Sequence, residues 1–130
     1  MANLAQTEQL SNSWLDSLRG IPFVVGVTTL EFFTDLPGAT GATNASTVTT
    51  RSAVIFDEPD SAEMDMAGDP PEFPVTGAAT LKYAGGFTGL TGDPDAWCWA
   101  TGVVTVPVTV TNGDVVKVAS CTVKFKEMAA

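Results

Sequence analysis

The chain contains no histidine, and this absence excludes more chemistry than any motif present supports. Histidine is the usual general base near neutral pH and the commonest zinc ligand. Without it, Ser-His and Cys-His nucleophile pairs are excluded, and the two cysteines, Cys98 and Cys121, cannot complete a structural zinc site by themselves. The P-loop and dinucleotide-binding glycine patterns are also missing, and Gly85-Gly86 with Gly89 reads as a turn. Carboxylates do occur in groups: Asp93 and Asp95 about Pro94, and Asp57, Glu58 and Asp60. They fall in segments read as loops, where solvated acids are the default. Asp57, Asp60, Glu63 and Asp65 would offer oxygen ligands to calcium, but the EF-hand spacing is absent. No catalytic residue, cofactor or metal site is therefore assigned, and the expectation is a protein that is not an enzyme.

Basic residues are scarce. Six Lys and Arg stand against 15 Asp and Glu, giving a net charge of −9. Specific nucleic-acid binding by phosphate neutralisation needs clustered cations, so it is not expected. A surface past which nucleic acid slides without sticking is compatible with this balance. No apolar run approaches the roughly 18–20 residues that span a bilayer. The longest candidate, 21–27, is interrupted by Pro22 and Gly26. The N-terminus lacks a basic stretch followed by an apolar one, so no signal peptide is expected. Asn44-Ala45-Ser46 is then a chance match to a glycosylation acceptor.

What the chain does have is apolar content: 45% of its 130 residues are hydrophobic and 16% charged. That composition excludes a disordered chain and suits one domain with one core. The small charged fraction also hints that partners cover part of the surface. Residues 1–20 read as a polar N-terminal arm followed by a short helix. Ser11 or Asn12 would cap it, Trp14, Leu15 and Leu18 would form its apolar face, and Gly20 sits at its C-terminal end. Residues 21–130 read as a single β domain, with strands at 21–33, 46–56 and 75–83 joined by Gly- and Thr-rich connections. Between them, 57–74 carries four prolines and seven acids (Asp57, Glu58, Asp60, Glu63, Asp65, Asp69 and Glu72) and reads as a long acidic loop.

The strongest local signal lies in the last third. Two alternating apolar runs, 97–110 and 115–125, flank Asn112-Gly113, which predicts a β-hairpin with both turn residues at positive φ. Pro107 cannot donate to a ladder and implies an edge or a bulge. A two-residue turn sets Cys121 opposite Val104 and leaves Cys98 about six residues out of register with it, roughly 20 Å at the strand rise of about 3.3 Å. Disulfides tolerate only about 7 Å between Cα atoms, so both thiols are expected free and buried. Taken together, the strands predict an all-β fold: a mainly antiparallel β-sandwich or partly open barrel with one short N-terminal helix.

Two stretches resemble a known family. Residues 73–83 (Phe-Pro-Val-Thr-Gly-Ala-Ala-Thr-Leu-Lys-Tyr) are similar to the lead into a mid-chain strand of tailed-phage tail tube proteins. Residues 102–106, 114–116 and 122–125 resemble their C-terminal hairpin. The resemblance implies a small β-sandwich with a long loop, whose copies stack as rings around an acidic lumen that conducts DNA. Capsid decoration (cement) proteins, small, acidic and β-rich with clamping N-terminal arms, are the rival resemblance. A monomeric glycan- or cation-binding sandwich is a further alternative, with Trp97 and Trp99 as the sugar platform. On the assembly readings, the partners are copies of the chain and other virion proteins, with no membrane involved. The location is the virion, after synthesis in a host cytoplasm. Candidate interface residues are Trp14, Leu15, Leu18, Trp97, Trp99, Lys124 and Lys126. The acidic loop would face a lumen or meet the basic last strand of a neighbouring copy.

Overall fold

A computed structural model describes residues 2–23, 25–38 and 40–124. The protein is all-β with one helix, in the order β1 (Ala2–Gln6), α1 (Glu8–Leu18), β2 (Thr29–Phe33), β3 (Ser52–Ala53), β4 (Ile55–Phe56), β5 (Glu63–Ala67), β6 (Glu72–Pro74), β7 (Ala79–Phe87), β8 (Cys98–Val110), β9 (Val115–Lys117) and β10 (Cys121–Lys124). Eight strands form one mixed sheet in the order β3-β2-β7-β8-β1-β10-β5-β4. Its two edges, β3 and β4, are separated in sequence by Val54 alone. A single extended segment thus pairs with β2 at one end and β5 at the other, so the sheet is nearly closed into a barrel. Val54 is buried at the join, and its N–H donates to the Thr28 carbonyl at 2.9 Å. Such closure removes the open edges that would otherwise invite pairing with other chains.

The expected arm is part of the sheet. β1 lies between β8, to which it is antiparallel, and β10, to which it is parallel. Leu4 is 2% exposed and packs with Val104 and Val123 in the main core. The hairpin reading is corrected at the same place. β8 and β10 flank β1 without touching as neighbours, and β9 leaves the barrel to pair with β6. At the turn only Gly113 takes a positive φ. The Asp114 carboxylate accepts from the Thr111 N–H and hydroxyl, and the Gly113 N–H donates to the Val75 carbonyl, which steers the chain onto the β6–β9 ribbon. That ribbon buries Phe73, Val116 and Val118 against the same core, with Phe73 edge-on to Phe32 at 4.9 Å. Near Pro107 the expected irregularity is present: the β7–β8 register shifts between Leu81/Val108 and Tyr83/Val103.

Other boundaries move for identifiable reasons. The acidic stretch 57–74 is no loop, because it carries β5 and β6. Its Glu63-Met64-Asp65-Met66 alternation turns the methionines toward the core and acids outward. A tight two-residue hairpin turn forms at Asp60-Ser61-Ala62-Glu63, with Asp60 and Glu63 bonded both ways and Ser61 and Ala62 both at positive φ. The expected strand at 46–56 shrinks to the β3–β4 segment, and that at 21–33 to β2. The third strand shifts from 75–83 to Ala79–Phe87, so Gly85 and Gly86 are strand residues. A Cβ on Gly86 would lie 2.7 Å from the Trp99 indole, so glycine is what lets that ring pack flat over β7. Outside the barrel wall, Phe33, Phe87, Cys98 and Tyr83 form a second small core under residue Gly41. Arg51 covers it, 3.9 Å above the Phe87 ring and 3.8 Å from Glu31. Burial raises the Glu31 pKa, and Arg51 opposes that rise.

Candidate functional site

Helix α1 starts earlier than the sequence suggested. Thr7, not Ser11 or Asn12, is the N-cap: its hydroxyl accepts from the Leu10 N–H at 3.3 Å and donates to the Cys98 carbonyl at 2.8 Å. One side chain therefore caps the helix and ties it to β8. Gly20, with φ of +83°, follows the C-cap as expected. Leu10, Trp14 and Leu18 recur at four-residue spacing and form one stripe. Only Leu10 is buried. Trp14 is 51% exposed, Leu15 60% and Leu18 84%. Trp14 leans edge-on against Phe23 at 5.6 Å.

Trp14 and Leu15 border a groove of about 790 Å³. Gln6, Ser11, Trp14 and Leu15 form one wall. Pro59, Ala62, Glu63, Met64 and Val123 form the other, on the β4–β5 turn, β5 and β10. Most of these atoms are apolar. Glu63 marks the rim, where it pairs with Lys124, its register partner on β10, at 3.9 Å. The sequence already pointed to Trp14 and Leu15. Pro59, Ala62 and Met64 were hidden in the stretch read as an acidic loop, although the alternation of Met64 and Met66 was a strand signal.

The remaining candidates do not join this site. Trp99 is 4% exposed, donates its indole N–H to the Phe87 carbonyl at 3.2 Å and sits edge-on to Phe56, so it belongs to the core. Trp97 is half-buried against the same core. The two do not form a surface pair. Lys126 lies outside the described residues. The acids and lysines meet within the chain: Lys117 pairs with Glu72 across β6–β9 at 3.2 Å, and the Thr122 hydroxyl donates to Asp65 at 2.8 Å. Asp57, Glu58, Asp60 and Asp69 face solvent. Among the described residues no three acidic or cysteine side chains converge to hold a metal, and no helix is long and apolar enough to cross a membrane. Cys98 and Cys121 are free and buried, as expected. The chain matches no protein-family model and no curated protein.

Proposed function

We propose that this chain is a non-enzymatic structural subunit that assembles with copies of itself through the α1 face and its groove. One observation carries the reading: Trp14, Leu15 and Leu18 leave an exposed apolar face on α1, and Trp14 and Leu15 line an apolar groove beside it. A chain of net charge −9 that keeps such a face in water has a contact to cover it. The nearly closed barrel supplies a rigid body for a repeated contact.

The assembly we propose is the tail tube of a tailed phage, on the resemblance at 73–83 and in the last strands. In such a conduit Asp57, Glu58, Asp60 and Asp69 supply solvent-facing negative charge that keeps DNA mobile. Capsid decoration is the alternative. The clamping arm it relied on lies in the sheet as β1, so that reading now rests on the α1 face as well. The groove itself favours a second reading, a monomer that binds an apolar ligand, since its volume falls in the roughly 300–1,000 Å³ range of ligand sites.

Electron microscopy of the purified protein, with and without empty phage capsids, tests the assembly. Rings or tubes of the chain alone support the tube. Binding only to capsids supports decoration. A protein that forms neither refutes self-assembly and leaves the ligand reading.

A further inference from the structure

β1 enters the barrel between two strands that the chain already holds level. Ala2, Asn3 and Leu4 pair with Val104, Val103 and Gly102 on one side and with Cys121, Thr122 and Val123 on the other. β8 and β10 are thus two strand spacings apart, about 10 Å, with β1 filling the slot. An empty slot would leave two facing ladders of unpaired N–H and C=O groups beside a buried core, which folded proteins do not tolerate. A strand is obligatory there. Nothing in the slot specifies which copy of the chain supplies it.

Three features mark β1 with α1 as a separable unit. Among the residues of α1 only Leu10 is buried. Beyond the Thr7 cap and Leu10, the side of α1 that carries Ser11, Trp14 and Leu15 faces an open groove, where a firmly seated helix would be close-packed. The connector 19–28 has no helix or strand among its described residues, and it carries Gly20 and Gly26 with open space where a Cβ would stand. Fully extended, it spans roughly 33 Å.

We propose that β1 and α1 are exchanged between copies of this chain, each copy's residues 2–18 filling the slot of another. The inference rests on the self-assembly reading: the exposed α1 faces bring copies together, and exchange of the same element then locks them. Every strand pairing and the Thr7 cap are the same whether made within one chain or between two. Exchange therefore preserves those pairings, while the contacts of Phe23 in the connector with Trp14 and the core are the ones it must remake, and the link between copies depends on concentration.

The test uses the register partners Ala5 on β1 and Thr101 on β8, neither of them fully buried. Ala5→Cys and Thr101→Cys are placed in one full-length chain, and separately in two chains that are mixed, unfolded and refolded together at high concentration. After oxidation, denaturing gels and peptide mapping locate the bonds. The double variant, refolded dilute, is expected to form the 5–101 bond within one chain. In the oligomers of the mixed chains, about half of exchanged pairs should carry it between chains, the statistical share for two-copy exchange. Oligomers of the mixed chains without that bond overturn the exchange while self-assembly stands. A double variant that forms no bond also overturns it, because β1 is then not paired with β8 as the exchange requires. A chain that stays monomeric at every concentration refutes both.

Discussion

Val104 and Cys121 stand level on opposite sides of Ala2, each its register partner in a neighbouring strand. Both are 1% exposed, so the strand between them crosses the middle of the core. Two residues along β1, Leu4 lies between Gly102 and Val123 and is 2% exposed. Leu4→Ala should therefore cost about 2–5 kcal/mol, the range for a core leucine, despite its place in the first strand. Urea denaturation measures it. A cost below about 1 kcal/mol, typical of a frayed terminus, would show that β1 is not seated.

The sequence located the turn at Asn112-Gly113 and the levels of the two runs around it, because both follow from local spacing. It did not reveal that another strand lies between those runs. Ala2–Gln6 offers a single large apolar side chain, so its alternation is too weak to read, and its partners lie about 100 residues away, where no local rule reaches. The acidic stretch misled for the opposite reason. Pro59, Pro70, Pro71 and Pro74 mark loops correctly, but they frame β5, whose Met64 and Met66 keep strand alternation between acids. The helix was legible from Trp14, Leu15, Leu18 and Gly20, and its start was missed because Thr7 is separated from the apolar face by polar residues.

The turn at Ser61-Ala62 places two residues with side chains at φ of 54° and 62°, where each non-glycine residue costs about 1–2 kcal/mol. Asn-Gly suits this geometry. Ser61→Asn with Ala62→Gly should raise stability by about 1–2 kcal/mol without moving β5. A thermal melt reports the gain, and an unchanged or lower midpoint would contradict the turn.

Gly86 passes directly beneath the Trp99 indole. Gly86→Ala should push that ring off the strand and strain its hydrogen bond to the Phe87 carbonyl, at a cost of about 1–3 kcal/mol. Tryptophan fluorescence should change along with the loss of stability. Full stability with unaltered emission would place the ring elsewhere.

Burial pushes both the Cys98 and Cys121 thiols up from 9.0 to about 11. In the unfolded chain they lose their protons first, so folding becomes less favourable as pH rises from about 9 toward 11, and is unaffected below. Denaturation midpoints from neutral pH upward should fall more steeply for the native chain than for Cys98→Ala/Cys121→Ala. Parallel curves would mean that the thiols are not protected. A thiol reagent should label both cysteines only as the protein unfolds.

In the proposed assembly an apolar face, not the charged pairs, joins copies of this chain. Lys117–Glu72 and Lys124–Glu63 are exposed pairs made within one chain and worth roughly 0–1 kcal/mol each. The decisive measurement is the solution mass by light scattering over a concentration series, for the native chain and for Leu18→Glu, at low and high salt. Leu18 is 84% exposed, so the substitution leaves the fold intact. The account predicts a native mass that grows with concentration and persists in high salt, and a Leu18→Glu variant that remains a folded monomer. A native chain that stays monomeric, or a Leu18→Glu variant that assembles as the native chain does, would contradict it.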